Sequence, residues 1–188
     1  MIIYLEGPDG SGKTTLAQTI DKVLVDKKIT IPMLSAEEYI PTRPNREDRV
    51  NERQLFKQLK IMALSDQVYV IDRGPISDII YRCFDKAEPV TTLNKVIKFL
   101  QKYNNKVMLV YCNSDSAYKN MIARGDDNPV AVSQHSIISK MFKVIMNEIE
   151  ANIDFNFQRY NYDIKSSLDT VTSNIAYFCY MGLKNIGV

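Results

Sequence analysis

The feature that most constrains the fold is a glycine-rich loop placed between a short apolar run and a helical pattern. The apolar run covers residues 2–5, and residues 7–14 fit the pattern G-x-x-x-x-G-K-[ST] in full. In such a loop, successive backbone N–H groups converge on phosphate oxygens, and the N-terminus of the next helix adds partial positive charge. The order of strand, loop and helix therefore predicts a phosphate-binding loop, here called the P-loop, on the first strand of an α/β sheet.

The residues of the P-loop have expected tasks toward a nucleotide. Lys13 is expected to reach the β- and γ-phosphates, and the Thr14 hydroxyl is expected to ligate Mg²⁺. The residues expected to bind ATP are Gly7, Pro8, Asp9, Gly10, Ser11, Gly12, Lys13, Thr14 and Thr15. Because kinases, GTPases and motor ATPases all use this cradle, the loop alone does not choose between them.

A second motif, DRG from Asp72, follows the apolar run at residues 68–71. Open α/β sheets bind ligands at the carboxyl ends of their strands. There Asp72 could support Mg²⁺ or orient an acceptor oxygen, and Arg73 could clamp a phosphate through two hydrogen bonds. The alternative is that both residues cap a helix, since Pro75 is typical of a first helical turn.

Short apolar runs and longer helical patterns alternate along the rest of the chain. The runs expected to be strands are residues 2–5, 30–34, 68–71, 107–111 and 160–164, and the longest helix is expected to start near Ser136. The sequence predicts one domain over residues 1–188, a three-layer α/β/α sandwich with a parallel sheet of about five strands. Residues 124–134 lack periodicity and are predicted to form a mobile lid loop.

Composition limits the partners and the chemistry. The chain has 24 Lys+Arg against 22 Asp+Glu, so a long nucleic acid is not expected as a partner, although a polynucleotide end is not excluded. No apolar run approaches the roughly 18 residues of a membrane span. Cys83, Cys112 and Cys179 are expected in the core of a cytoplasmic protein. The single histidine, His135, is not expected to be catalytic, since transfer to a phosphate relies on positioning and charge.

Three segments together resemble the thymidylate kinase family of nucleoside monophosphate kinases. They read EGPDGSGKTT from Glu6, IDRGPISDIIYR from Ile71 and MIARGDD from Met121. The likeness spans most of the chain in order and spacing, and its specific parts are the P-loop and the Asp-Arg pair. The resemblance implies transfer of a phosphoryl group from ATP, with Mg²⁺ as cofactor, to a deoxynucleoside monophosphate. Since members of that family are commonly dimers, a homodimer is compatible with it.

The resemblance also assigns roles to single residues. Asp9 matches an aspartate that contacts the acceptor sugar, Arg43 lies in a segment similar to one that approaches the acceptor, and Arg124 matches the arginine of the lid. The residues expected in catalysis are Lys13, Asp72, Arg73 and Arg124. Those expected to bind the acceptor are Asp9, Arg43, Arg73, Tyr81 and Arg82, and the expected Mg²⁺ ligands are Thr14 and Asp72.

Departures from the family pattern keep alternatives open. Gly10 stands where family members can carry an arginine, so Arg124 is the expected source of that charge. Arg82 follows Tyr81 where a glutamine often reads thymine, so the base of the acceptor stays open. Deoxynucleoside kinases carry a glutamate after the second strand as the base for a hydroxyl acceptor, but the matching place beside Arg43 and Pro44 holds no glutamate, which favours a monophosphate. A kinase of nucleosides or of polynucleotide 5′-hydroxyl ends is the main alternative, followed by a non-kinase NTPase.

Overall fold

Strands and helices alternate along the residues that the computed structural model describes, which are 1–25, 33–35, 52–84, 89, 91–125, 129–152, 154 and 156–184. In chain order the elements are β1 (Ile2–Glu6), α1 (Lys13–Val25), β2 (Met33–Ser35), α2 (Glu52–Leu64), β3 (Tyr69–Asp72), α3 (Pro75–Phe84), α4 (Leu93–Lys102), β4 (Val107–Asn113), α5 (Ala117–Ala123), α6 (Pro129–Asn152), β5 (Asn156–Asn161) and α7 (Lys165–Lys184). This alternation confirms the predicted α/β class.

The strands of the described residues form one parallel sheet in the order β2-β3-β1-β4-β5. The central strand is β1, in which Ile3 lies opposite Val70 of β3 on one side and Met108 of β4 on the other. The P-loop leaves the carboxyl end of β1, and Asp72 ends the neighbouring strand β3. Both motifs therefore meet at the carboxyl ends of the strands, where such folds bind ligands, as predicted.

Helices cover both faces of the sheet, and the alternation along β1 shows how. Ile2 and Tyr4 belong to a buried cluster that includes residues of α2, α3, α4 and α6. Ile3 and Leu5 belong to a second buried cluster that includes residues of α1 and α7. Because side chains alternate between the faces of a strand, a strand covered on both sides is apolar throughout. The helix–sheet–helix layering explains why β1 reads as an unbroken apolar run.

The last strand lies earlier in the chain than the sequence analysis predicted. We expected a strand at residues 160–164, but β5 is Asn156–Asn161, and the chain turns at Tyr162. Among the described strands it pairs with β4 alone, so it lies at an edge of the sheet as described. Only Tyr160 of this strand is buried, so polar residues are tolerated on it, and its polar amino-terminal half gave no strand signal.

The predicted lid loop is shortened by a helix. Residues 129–134 belong to α6, which begins at Pro129 rather than near Ser136, while residues 126–128 lie outside the described part of the chain. Pro129 begins this helix rather than interrupting it, because proline is favoured at the first helical position, where its missing N–H is not needed. Arg124 and Gly125 form a turn after α5. A lid function for the segment stays a prediction.

The cysteines are placed only partly as expected. Cys112 and Cys179 are buried, but Cys83 is exposed in the last turn of α3, where its thiol donates to the carbonyl of Ile79. The prediction for Cys83 is therefore wrong, because residues at a helix end can leave the covered face.

Among the described residues, no cluster of three His, Cys, Asp or Glu could hold a metal ion. None of the described helices is both long and apolar enough to span a bilayer.

Candidate active site

The P-loop is held in a conformation that requires glycine. Gly10 and Gly12 have φ angles of 77° and 83°, in the left-handed region that residues with side chains rarely adopt. A Cβ atom at Gly10 would overlap the carbonyl oxygen of Ala117, and one at Gly12 would overlap the ring of Tyr162. The loop is thus enclosed by α5 and by the turn after β5. An arginine at position 10 would not fit this backbone.

Lys13 is buried at the start of α1 and bonds to the P-loop itself. Its Nζ donates to the carbonyl of Gly7 at 2.8 Å and to that of Pro8 at 2.7 Å. Burial lowers the pKa of Lys13, and the nearby Asp72 carboxylate opposes that shift. The two carbonyls carry no net charge, so an anionic ligand in the loop would stabilise this ammonium further. This placement suits a lysine that exchanges carbonyl oxygens for phosphate oxygens.

Thr14 and Asp72 join the two motifs. The Thr14 hydroxyl donates to Oδ2 of Asp72 at 3.1 Å, which links the start of α1 to the end of β3. The other carboxylate oxygen, Oδ1, is buried and has no hydrogen-bond partner within the described residues. Proteins usually hold Mg²⁺ through one or two carboxylates together with substrate phosphates and water. A hydroxyl beside an unsatisfied carboxylate oxygen therefore fits the predicted Mg²⁺ ligands.

The carboxylate of Asp9 joins two residues that were predicted to meet the acceptor. Its Oδ1 pairs with the guanidinium of Arg73, and its Oδ2 accepts a hydrogen bond of 2.8 Å from the Tyr81 hydroxyl. Arg73 also lies over the Tyr81 ring, 5.0 Å from the ring centroid. The structure therefore brings three of the five predicted acceptor residues together at the mouth of the P-loop.

Arg73 has an unusual backbone conformation. Its φ of 71° is the only positive value among the described residues other than glycine. Such a conformation costs about 1 to 3 kcal/mol and is typical of functional sites, where the surrounding structure holds it in place. Here the Arg73 N–H donates to the carbonyl of Leu5 at 3.0 Å. The strained residue is thus fixed to β1 next to the P-loop.

The other predicted site residues are placed differently. Nε of Arg82 pairs with Asp78, one turn earlier in α3, at 2.5 Å, and both side chains are largely buried. Arg124 is exposed at the C-cap of α5, and its positive charge contributes to the lowered pKa of Lys13, so it lies within electrostatic reach of the P-loop. Arg43 lies outside the described residues.

A residue that we did not predict, Glu6, caps the helix that follows the second motif. Its buried carboxylate accepts the N–H groups of Ile76 and Ser77, each at 3.0 Å, and the Ser77 hydroxyl. Burial raises the pKa of Glu6 to about 7. Glu6, rather than Asp72 and Arg73, therefore satisfies the start of α3, which argues against the capping alternative for that pair. A carboxylate at the end of an apolar strand was the available signal.

Two further residues missed by the sequence analysis contact the P-loop backbone. Nδ2 of Asn120 lies 3.1 Å from the carbonyl oxygen of Gly10, and Nε2 of His135 lies 3.0 Å from that of Asp9. His135 is buried within α6 rather than placed at its start. Neither residue belongs to a local motif, so no spacing in the sequence indicated these contacts.

The fold is similar to those of solved proteins that bind or act on nucleotides. The YorR protein of Bacillus subtilis, in complex with phosphorylated GDP, matches with a TM-score of 0.65 and 23% identity over 96% of each chain. The deoxyadenosine kinase from M. mycoides, with bound dCTP, matches with a TM-score of 0.53 and 17% identity over 94% of this chain and 100% of that one. No protein-family model matches the sequence, and no curated protein matches it significantly. The chain therefore has the fold that these two proteins share.

Proposed function

We propose that the chain is a kinase that transfers the γ-phosphoryl group of ATP to a deoxynucleoside 5′-monophosphate. The observation that carries this proposal is the contact of Asp9 with Arg73, which places a second cationic group beside a complete P-loop. An NTPase that transfers phosphate to water needs the P-loop but has no use for a separate anion site. The shared fold with a deoxyadenosine kinase and the resemblance to thymidylate kinases support the same reaction class.

The donor half of the reaction uses the P-loop. The backbone N–H groups and Lys13 hold the β- and γ-phosphates and stabilise the charge that spreads over the transferred group. Thr14 and Asp72 would hold Mg²⁺, which supplies further neutralisation of phosphate charge when bound. Arg124, at the end of α5, would add a positive charge that Gly10 does not provide.

The acceptor half uses the group around Asp9. A guanidinium has five N–H donors, so the contact of Arg73 with Asp9 leaves other donors for an acceptor phosphate. The Asp9 carboxylate and the Tyr81 ring hold Arg73 from two sides, so less side-chain freedom is lost on binding. With the acceptor fixed in line, the reaction needs mainly positioning and charge.

A nucleoside kinase is the second candidate, favoured by the similarity to the deoxyadenosine kinase structure. A hydroxyl acceptor must lose a proton and requires a carboxylate base. Asp72, at the end of β3 beside the P-loop, is one candidate, but its Oδ2 already accepts from Thr14 and its place suits Mg²⁺. A monophosphate is already anionic and needs no such base, so the leading proposal does not require a further catalytic carboxylate. Arg82 in place of a thymine-reading glutamine leaves the base open.

The proposal is tested with a panel of acceptors. The folded protein is incubated with ATP and Mg²⁺ and, in separate reactions, with each deoxynucleoside, each deoxynucleoside monophosphate and a 5′-hydroxyl oligonucleotide. ADP release and the phosphorylated product are measured by chromatography and mass spectrometry. We expect a diphosphate from at least one monophosphate. Faster phosphorylation of nucleosides or oligonucleotides, or ATP hydrolysis that no acceptor stimulates, would contradict the proposal.

A further inference from the structure

Two side chains from consecutive helices bond to consecutive carbonyls of the P-loop. Asn120 of α5 donates from Nδ2 to the carbonyl of Gly10 at 3.1 Å. His135 of α6 lies with Nε2 3.0 Å from the carbonyl of Asp9. Arg124 follows α5 directly, so it belongs to a part of the chain that is tied to the P-loop on both sides.

The contact of His135 with the carbonyl of Asp9 shows which ring nitrogen carries a hydrogen. A carbonyl oxygen only accepts hydrogen bonds, so Nε2 must carry the hydrogen. Nδ1 can then accept from the Ser139 hydroxyl, which lies 3.4 Å away. Burial and the positive charge of Lys13 lower the pKa of His135, which favours the neutral ring. The Tyr118 ring meets the imidazole edge to face, with centroids 5.4 Å apart, and thereby joins α5 to α6.

The contact of Asn120 brings α5 unusually close to the P-loop. Gly10 has no Cβ, and the carbonyl of Ala117 occupies the space that a side chain would take. Asn120 is held in turn near the Ser114 hydroxyl, at 3.4 Å. Residues four apart share one face of a helix, so Arg124 follows Asn120 on the side that contacts the P-loop.

We propose that Asn120 and His135 are positioning residues that hold α5 and α6 against the P-loop and thereby place Arg124 beside the transferring phosphoryl group. This inference rests on the proposed kinase function. A charge that is already in place at the transition state lowers the barrier without reorganisation, whereas a displacement of about 1 Å can cost on the order of a hundredfold in rate. The two residues should therefore affect kcat more than the affinity for ATP.

The first test compares matched variants. Asn120→Leu and His135→Leu remove the donors at similar volume, and we expect kcat to fall about tenfold or more with the KM for ATP changed less than about threefold. His135→Gln offers an amide N–H in place of Nε2–H and should restore most of the activity. Asn174→Leu removes a comparable hydrogen bond, from Asn174 to Gln158 at 2.8 Å, on the remote helix α7 and should leave kcat unchanged.

The decisive test combines each change with Arg124→Ala. If Asn120 acts by placing Arg124, then Asn120→Leu should reduce kcat little further once Arg124 is gone, because interacting residues are not additive. Losses that multiply independently, or a changed KM for ATP with normal kcat, would overturn the inference.

A measurement without turnover separates this inference from the proposed function. Amide hydrogen exchange of residues 117–125 should be about tenfold faster in free Asn120→Leu than in the wild type, and Asn174→Leu should match the wild type. Unchanged exchange would overturn the positioning role even if the protein proved to phosphorylate nothing. A wild type that phosphorylates no acceptor, with faster exchange in the variant, would contradict only the kinase proposal.

Discussion

The guanidinium of Arg73 pairs with the carboxylate of Asp9, so the residue expected to clamp the acceptor phosphate is held by the P-loop itself. The backbone of Asp9 belongs to the P-loop, while its carboxylate faces Arg73 and Tyr81. His135 bonds to the carbonyl of the same residue. One residue thus joins the P-loop, Arg73 and α6. A ligand that moves Asp9 would therefore change its contacts with both Arg73 and His135.

The first prediction concerns Arg73 and the acceptor. Arg73→Ala removes charged hydrogen bonds of about 1.5 to 3 kcal/mol, so the KM for the monophosphate should rise about tenfold or more, while ATP affinity barely changes. Steady-state kinetics with each substrate varied in turn measures this. Arg159→Ala is the control, because Arg159 forms an ion pair with Glu150 elsewhere on the surface. An unchanged KM for the acceptor would place Arg73 in a purely structural pair.

The second prediction concerns Lys13. Lys13→Ala removes a buried ammonium that bonds to Gly7, Pro8 and Ser11 of the P-loop, so kcat should fall by at least about a hundredfold, the scale expected for one preorganised charge. Folding should persist, because burial already disfavours the charged form of this side chain. Rapid-quench kinetics and denaturant unfolding measure both quantities.

The control for Lys13 is Lys22→Ala, which removes an exposed lysine from the last turn of the same helix. This variant should keep the activity of the wild type. If Lys13→Ala were folded and turned over at a normal rate, the P-loop would not be the donor site.

The sequence was informative where the chemistry is local. Lys13 and Thr14 belong to a contiguous motif, and Asp72 follows an apolar run, so their place at the carboxyl edge of the sheet could be predicted from neighbouring residues. The strand β1 could also be predicted from neighbouring residues. Every one of its residues is buried, and residues 2–5 form an unbroken apolar run. Local patterns determine these features because the loop conformation and the strand burial depend on adjacent residues.

The residues that support the site could not be found in this way. Glu6 bonds to Ile76 across 70 positions, Asn120 to Gly10 across 110, and His135 to Asp9 across 126. Each contact depends on how helices pack on the sheet, and no spacing in one sequence records that packing. The start of α6 was missed for a different reason, because a proline can begin a helix as well as end one.

The third prediction compares two glycines with nearly equal backbone angles. Gly10 and Gly125 have φ of 77° and 76°, but a Cβ at Gly10 overlaps the Ala117 carbonyl, whereas one at Gly125 meets nothing within 4 Å. Gly125→Ala should therefore cost about 1 kcal/mol for the left-handed backbone alone. Gly10→Ala should cost about 3 kcal/mol, because overpacking adds to that strain. Equal losses in denaturant unfolding would show that α5 does not press on the P-loop.

The last prediction concerns Glu6 and pH. Burial raises the pKa of Glu6 from 4.5 to about 7, so between these values the folded protein holds a proton that the unfolded chain has lost. The free energy of unfolding should therefore fall as pH rises through this window, by at most about 3 kcal/mol from this group. Glu6→Gln removes the titration but also weakens the cap of α3, since an amide has one acceptor oxygen for the N–H groups of Ile76 and Ser77.

Comparing the wild type with Glu6→Gln isolates the titration of Glu6, because other titrating residues contribute equally to the stability of both proteins. The wild type should exceed Glu6→Gln in stability by more at about pH 5 than at about pH 8, since only the wild type loses stability as Glu6 ionises. Denaturant unfolding at several pH values gives the difference directly. A constant difference would show that Glu6 keeps one protonation state throughout, and a difference that grows with pH would show that the capping N–H groups outweigh burial and lower its pKa.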